Sequence, residues 1–570
     1  MNSVLDIIYK QIKQHPSNNA LFYLEEESYV PITFQEMALG AERLSRYLSD
    51  QCKSGENVVI WSTNCWQWAV TDLAIQLADT VSVPIYPTAG DDQLDYIFND
   101  SKPTLIFLDY LTKDRVEMLK NIPTLKTVIA FKSQREFEDD ELFTNFNDVM
   151  NNLPEVAMIN DNNWVKDRLN QPLTTLYTSG TTGVQKAVTL THNNIVQNFL
   201  GILDIIPITA TDSSLSFLPL SHIFERTVGF YCVLGVGASI YYAESIDTVA
   251  RDLLVAKPTF IISVPRLYEK IYQKVMGNAT GVKKLILKLA LKIGRYFQSG
   301  LLWSIAHKLV FSKIHQKTGG NVRFLVTGGA PISPHIETFF NSVGLPVVQG
   351  YGLTETSPII TGNLDKKVGS VGKPLDNLDV TILDNGEICV KGPSVFSGYS
   401  NVPNDDVFTD DGFFKTGDLG YLDDAGYLYV TGRKKEIIVL SNGKNVSPNL
   451  IEEKLIQSNL VNQVIVLGDN ANYLVALVVP DEEGLQAALS SEAGLSDLIK
   501  NENVHDLIMT DLLKLSAKLA KYETIKAISL LDTEFSIEGK ELTPTLKLRR
   551  KEITKKYHDI IQSLYENEGE

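Results

Sequence analysis

The chain reads as a layered α/β protein with a large amino-terminal domain of stacked α/β subdomains, a β-rich subdomain, and a small carboxy-terminal α/β domain. Three observations predict this. From Leu21 to about Val348, short apolar runs rich in Val, Ile, Leu and Thr, such as Asn57–Trp61, 104–108 and 323–327, alternate with helix-period segments. That alternation is the pattern of sheets covered by helices. Over about 365–432 the texture changes to paired strands, with LDVTILDNGEICVKG turning at Asp384-Asn385-Gly386 and GYLDDAGYLYVTG turning near Asp424-Ala425-Gly426. After the basic stretch Arg433-Lys434-Lys435 a compact α/β pattern resumes. There Ser447 caps a helix with Pro448 at its first position, and VNQVIVLG and NYLVALVVP form a hairpin around 468–470. The domain boundary falls at Lys434-Lys435, giving domains 1–434 and 435–570.

With 570 residues the chain exceeds what one hydrophobic core organises, and 44% hydrophobic content suits a fully globular protein. Cys52, Cys65, Cys232 and Cys389 lack paired spacing, which argues against disulfides or a zinc site and for a reducing cytoplasm. The opening MNSVLDIIYKQIKQ has no basic start, apolar run and cleavage site, and no stretch of about 18 uninterrupted apolar residues occurs. A soluble, cytoplasmic protein is expected. The net charge of −17 counts against a nucleic-acid partner, whose phosphates require clustered Lys and Arg.

The most informative segment is LYTSGTTGVQKAVTLTHNN. An apolar strand over 173–177 runs into Thr178, Ser179, Gly180, Thr181, Thr182 and Gly183, with Lys186 three residues on. Glycines let backbone N–H groups turn toward an anion, hydroxyls add donors, and the lysine supplies charge. The loop is built to hold phosphates, though alone it also fits a polar surface loop. It is not a Walker A motif, because Gln185 stands where that pattern needs Gly before Lys.

Six segments in one order, YTSGTTGVQK, GGAP at 328–331, QGYGLTE at 349–355, KTGDLG at 415–420, GRKKEII at 432–438 and LTPTLKLRRK at 542–551, resemble the adenylate-forming superfamily of acyl-CoA synthetases, luciferases and adenylation domains. FLPLSHIFER and VPRLYEKIY resemble its long-chain fatty acid–CoA ligase branch. The resemblance covers nearly the whole chain. It implies two half-reactions: a fatty-acid carboxylate attacks the α-phosphorus of ATP and expels pyrophosphate, then the thiol of coenzyme A attacks the acyl-adenylate and releases AMP. An anion must approach a polyanion, so Mg²⁺ and lysines are the expected remedy.

The resemblance also implies roles. Glu355, helped by Thr178, would ligate Mg²⁺; Thr354 would donate to the α-phosphate; Tyr351 would stack on adenine beside Gly329, Ala330 and Pro331, with Gln349 and Gly352 completing that wall. GGAP is equally a strand-to-helix turn whose helix Ser333 caps. Asp418 would accept from the ribose hydroxyls, with Arg433 beside it, although TGD by itself reads as a turn. Lys547 matches the mobile catalytic lysine, with Lys540 as its competitor. Since Lys547 and Glu355 lie in different domains, the resemblance implies rotation about a hinge at Lys435. CoA would then use the face bearing Gly443 and Lys444. His222 matches a histidine near the acyl tunnel and fits a satisfied core histidine as well.

Relatives place Pro-Lys-Gly in the phosphate loop, where this chain has Gln185-Lys186-Ala187; the charge stays and the backbone restraint changes. Residues 281–295, GVKKLILKLALKIGR, carry five basic residues around apolar ones at helical spacing. Such a helix could rest peripherally on an anionic membrane, or pack on the core with a solvated basic edge. Two other readings stay open: a fatty acyl-AMP ligase that loads a separate carrier protein, and an inactive sensor of nucleotide or lipid.

Overall fold

The structure is a computed structural model that describes residues 1–132, 140–156, 159–179, 185–277, 279, 281–543 and 547–566. Among the described residues, two large sheets build the amino-terminal part. One has seven strands in the order Phe143–Asn145, Thr127–Ala130, Leu105–Leu108, Asn57–Trp61, Val81–Ile85, Pro172–Ser179 and Gln185–Thr191. The other has nine, with parallel strands Ser239–Tyr242, Ser213–Ser216, Phe260–Ser263, Phe324–Thr327 and Val347–Gly352 at its centre.

Alternation within the strands explains the layering. In Asn57–Trp61, Val58 and Ile60 join one core while Val59 and Trp61 join another, and Leu105–Leu108 divides in the same way. Strand side chains point to opposite faces in turn, so an all-apolar strand must be buried on both. The nine-stranded sheet repeats the pattern, with Phe260 and Ile262 on the shared core and Ile261 and Leu325 on a separate one. Helices Trp66–Leu77 and His192–Leu203 and the π-helix Glu225–Cys232 fill the space between the sheets. The layers therefore run helix, sheet, helix, sheet, helix.

A polar network crosses this middle layer. Arg226 and Asp72 form an ion pair whose side chains are both fully buried. Arg226 also donates to the Thr174 hydroxyl at 2.7 Å and the Tyr231 hydroxyl at 2.9 Å, while Tyr231 and Gln76 donate to Asp72 at 2.7 and 2.8 Å. Thr174 lies on the strand that delivers the phosphate loop, and Arg226 lies four residues after His222.

The β-rich part is an antiparallel sheet of Asp379–Ile382, Glu387–Lys391, Phe414–Leu422 and Leu428–Arg433, with turns at Gly386 and Gly426 as the sequence predicts. Beyond it, Val461–Leu467, Leu474–Pro480 and Ile525–Leu530 form a three-stranded sheet. Helices Pro448–Leu455 and Glu502–Ser516 contribute to the core on one face, and Arg550–Lys556 and His558–Glu566 to the core on the other.

Two details depart from expectation. Ser333 and Ser447 do precede Pro334 and Pro448 at helix starts, but neither hydroxyl caps its helix. Ser333 donates to the Glu453 carbonyl at 3.2 Å and Ser447 to the Thr431 carbonyl at 2.7 Å. Each spends its hydroxyl on a contact across Lys434-Lys435, and proline at the first turn already removes one orphan N–H. The strands expected over 104–108 and 323–327 begin one residue later, and Arg323 turns outward to pair with Asp212 at 2.6 Å. Among the described residues no helix is long and apolar enough to cross a membrane.

Removing one partner of a buried ion pair strands the other charge at a cost of about 3–5 kcal/mol. Asp72→Ala is therefore expected to lower the urea midpoint of unfolding substantially, followed by tryptophan fluorescence. An unchanged midpoint would mean that the pair is dispensable.

Candidate active site

The candidate residues gather where the parallel strands of the nine-stranded sheet end. Phe324–Thr327 runs directly into Gly328, Gly329, Ala330 and Pro331, and its neighbour Val347–Gly352 carries Gln349, Tyr351 and Gly352. Thr327 and Gln349 are register partners, and both are buried. Gly329 and Pro331 stay exposed, so the turn forms an open wall. Gly329 takes a φ of +81°, a conformation costly for other residues. Gly352 is needed for a different reason: a Cβ there would sit 1.8 Å from the Pro358 carbonyl oxygen.

Asp418 faces this wall from the β-rich sheet. Its Oδ2 accepts from the Tyr351 hydroxyl at 2.8 Å and its Oδ1 from Arg433 Nε at 2.8 Å. Arg433 reaches it because the two residues are register partners on adjacent strands. The Asp418 carboxylate and burial push the Tyr351 phenol well above its ordinary range, burial being the larger cause. Asp418 in turn holds the Arg433 guanidinium firmly charged.

Lys547 arrives from the carboxy-terminal part. A Cβ on Gly329 would lie 4.0 Å from Lys547 Cε, so the lysine stem runs along the glycine turn. The Thr543 amide donates to the Lys547 carbonyl at 2.8 Å and the Lys547 amide to the Thr543 hydroxyl at 3.0 Å, which ties Lys547 to Thr543. Lys547 is exposed, and nearby protein displaces part of the water around its ammonium. That loss of hydration, and then the nearby Arg433 charge, pull its ammonium below the ordinary lysine value. Lys540, the competitor, occupies a turn at φ +64°. His222 feels Lys547 as well: burial first and the ammonium second push its imidazole down to about 3. Its Nδ1 accepts from the Phe224 amide at 3.1 Å, which puts the proton of the neutral ring on Nε2.

A second cluster surrounds Glu355, next to Thr354 on the short turn Thr354–Thr356. Glu355 is 8% exposed, and its Oε1 accepts from the Tyr399 hydroxyl at 2.7 Å. Lys186 lies over the Tyr399 ring, its ammonium 4.1 Å from the centroid. Burial and then Lys435 lower the Lys186 ammonium, while Glu355 opposes them. Lys435 therefore stands close to the same cluster. Thr178 pairs with Lys186 across adjacent strands, and its hydroxyl donates to the Lys186 carbonyl at 3.4 Å; Ser179 is the last residue of its strand, opposite Gln185. Gly180, Thr181, Thr182 and Gly183 lie outside the described residues.

Gly443 and Lys444 are not part of this gathering. They sit on an exposed hairpin turn of the carboxy-terminal part, where the Lys444 ammonium lies 5.7 Å from the Tyr522 ring. Two residues that sequence reasoning passed over belong to the site. Tyr399 joins Glu355 to Lys186, and Asn401 clamps the strand after the phosphate loop, accepting from the Ala187 amide at 2.8 Å and donating to the Gln185 carbonyl at 3.0 Å. Both lie in the run Ser397-Gly398-Tyr399-Ser400-Asn401, which carries only turn chemistry and no periodicity to distinguish it.

The donor set suits a hard cation bound together with substrate. Among the described residues no three His, Cys, Asp or Glu side chains converge into a metal cage. Glu355 and the Thr178 hydroxyl offer the one or two protein oxygens that Mg²⁺ takes when phosphates supply others. Asp418 with Arg433, the open glycine wall and the two lysines make an array that can hold a polyanion and stabilise charge growing on it.

The chain has counterparts among known proteins. Residues 8–400 match the AMP-binding enzyme family, and residues 435–569 match the AMP-binding enzyme C-terminal domain. The chain is 32% identical to the long-chain-fatty-acid–CoA ligase FadD15 of Mycobacterium tuberculosis over 90% of its own length and 89% of that protein. It is 34% identical to long-chain-fatty-acid–CoA ligase 5 of Mus musculus, over 95% and 85%, and 31% identical to long chain acyl-CoA synthetase 4 of Arabidopsis thaliana, over 99% and 92%. In fold it resembles the adenylation domain of a Mycobacterium chelonae carboxylate reductase, with a TM-score of 0.80, 22% identity and coverage of 99% and 91%. ATP-bound MatB of Rhodopseudomonas palustris is similar too, with a TM-score of 0.72, 22% identity and coverage of 98% and 100%. With the motifs in order, the layered fold and a match running from residue 8 to 400, the chain belongs to the family of AMP-binding enzymes.

Proposed function

We propose that the chain is an AMP-forming long-chain fatty acid–CoA ligase. The observation that carries this reading is the meeting of Lys547 with the Gly329 turn beside Asp418, Tyr351 and Arg433, in a relative of named long-chain ligases. In the first half-reaction the fatty-acid carboxylate attacks the α-phosphorus of ATP, forming acyl-adenylate and releasing pyrophosphate. Tyr351, Gly329, Ala330, Pro331, Gln349 and Gly352 form the adenine wall; Asp418 and Arg433 hold the ribose. Thr354, Lys186 and residues 178–183 hold the phosphates, and Lys547 bridges carboxylate and α-phosphate as charge develops. Mg²⁺, held by Glu355 with Thr178, would neutralise phosphate charge and orient the leaving pyrophosphate.

In the second half-reaction the CoA sulfur attacks the acyl carbonyl, AMP leaves, and the thiol proton is lost to the surroundings. Domains 1–434 and 435–570 rotate about Lys435 between the two steps, which withdraws Lys547 and brings Gly443 and Lys444 to the CoA entrance. His222, neutral at physiological pH, lines the acyl side. The enzyme works in the cytoplasm.

The direct test is fatty-acid-dependent ATP–pyrophosphate exchange over acids from acetate to oleate, with and without CoA. Exchange is expected to peak with long chains, to yield acyl-CoA when CoA is added, and to fall by about 10²–10³ in Lys547→Ala. Exchange without thioester formation would favour a carrier-loading enzyme. Glu355→Gln is expected to abolish exchange while leaving fatty-acid affinity unchanged; a protein whose only activity is lipid binding would have no exchange to lose. Because Lys547 must be cationic and its ammonium is lowered, adenylation is expected to decline on the alkaline side at a pH below the ordinary lysine value. Lys547→Arg, if active, would move that limb upward, and an unmoved limb would assign it to another group.

A further inference from the structure

Between residues 270 and 336 the chain holds eleven Lys or Arg and no Asp or Glu, although its overall charge is −17. At the centre of this strip lie the helix Gly281–Tyr296 and a second helical stretch, Leu301–Ala306 continuing through His307–Phe311 into Ser312–Lys317. Their packing is unusual. In the first helix only Leu287, Ala290 and Gly294 are buried. A Cβ on Gly294 would approach the Ser342 carbonyl oxygen to 2.0 Å, so the helix is drawn down onto Pro334–Ser342 along a stripe of mostly small residues.

Many of the large apolar side chains face outward. Of the twenty-four exposed large apolar residues described in the chain, ten lie between 282 and 309. Leu301 is 77% exposed, Val282 73% and Leu285 70%. At about 100° per residue, Val282, Leu285 and Leu289 share one sector of the first helix, and Lys284, Lys288, Lys292 and Arg295 occupy the sector beside it. Leu301, Ile305 and Leu309, four residues apart, continue the apolar face on the second stretch, with Lys308 and Lys313 also exposed. A core-packed helix with a solvated basic edge would bury its leucines; here Leu285 and Leu289 stand in solvent.

We propose that residues 281–317 are a docking surface for an anionic phospholipid bilayer. Charge complementarity selects this occupant. An apolar stripe flanked by lysines on a helix lying along the surface fits the boundary between acyl chains and phosphate headgroups, with the ammonium groups reaching the phosphates. Among the described residues no helix spans a membrane, so the attachment is peripheral. The proposal rests on the ligase reading in one respect: a long-chain acid partitions into such bilayers, and docking would place the enzyme at its source.

The test is sedimentation of the full-length protein with vesicles of phosphatidylcholine, alone or with about a third phosphatidylglycerol. Wild-type protein is expected to pellet with the anionic vesicles, to do so less at high salt, and to remain in solution with phosphatidylcholine alone. Reversing Lys284→Glu, Lys288→Glu and Lys292→Glu together is expected to lower partitioning by roughly 100-fold. Leu285→Ser with Leu301→Ser should lower it with the charge intact. Both variants should keep wild-type ATP–pyrophosphate exchange with a dissolved acid, which certifies their fold. Wild-type protein that ignores anionic vesicles, or variants that bind them as wild type does, would overturn the proposal. So would a lipid-free dimer in sedimentation equilibrium that Leu285→Ser with Leu301→Ser dissociates, since a second copy would then cover the face. Vesicle binding needs neither ATP nor acid, so binding without any exchange would leave docking standing and remove the ligase reading.

Discussion

The buried pair of Asp72 and Arg226 is the constraint on which the large domain's geometry depends. Burying two charges is expensive unless each is fully satisfied, and here the surrounding hydroxyls and amide complete the set. Asp72 sits on the helix Trp66–Leu77, Thr174 on the strand Pro172–Ser179 of the seven-stranded sheet, and Arg226 on the π-helix that follows His222. Apolar packing could tolerate a slip of one sheet over the other. The ion pair cannot, because any slip strands a charge. It therefore holds the strand Pro172–Ser179 to the middle-layer helices, on whose shared core the nine-stranded sheet and its turn at 328–331 also pack, and so sets the separation between the two.

With that separation set, the site needs little further machinery. Parallel strands end together, so their carboxyl-end turns converge and leave a crevice for a ligand. The β-rich sheet closes one side by placing Asp418 and Arg433 opposite each other in register, where the two strands hold the pair together. Tyr399 and Asn401 close another side, and the Asn401 amide acts as both donor and acceptor to the strand after the phosphate loop. This clamp bears on the unusual Gln185-Lys186-Ala187 sequence. The restraint that proline would give by covalent geometry is supplied here by hydrogen bonds on either side of Lys186.

Much of this was legible in the residues. The doubly buried strands announced themselves because both faces are apolar, and the β-rich part because turn glycines recur at 386 and 426. The chemistry-bearing residues were legible through their motifs, since Asp418 or Lys547 alone would read as a turn acid and a surface lysine. What stayed hidden has no local signature. Arg226 and Asp72 are 154 residues apart, and nothing in either neighbourhood signals an ion pair. Ser333 and Ser447 read as helix caps by every local rule, yet both hydroxyls are taken by carbonyls that only the tertiary fold brings near. The basic helix was visible as amphipathic, but its orientation was not, because its apolar residues form one broad arc and the tight seat of Gly294 turns only part of that arc to the core.

The contacts between the two domains are of a kind that permits motion. They include hydrogen bonds: Arg266 donates to Asn462, Ser333 to the Glu453 carbonyl, and Ser447 to the Thr431 carbonyl. Across the same boundary two carboxylates oppose each other. Burial, followed by the Glu269 charge, raises Glu453 to about 7, and burial raises Glu269 while Arg266 offsets part of it. A carboxyl whose pKa is raised on docking disfavours the docked arrangement once pH exceeds its undocked value, so near neutrality this pair works against tight closure. An arrangement stabilised by a large apolar interface would hold Lys547 at the Gly329 turn too firmly to release it. Polar contacts opposed by a carboxylate pair leave the docked state shallow, so a ligand that binds one arrangement better than the other can shift the balance between them.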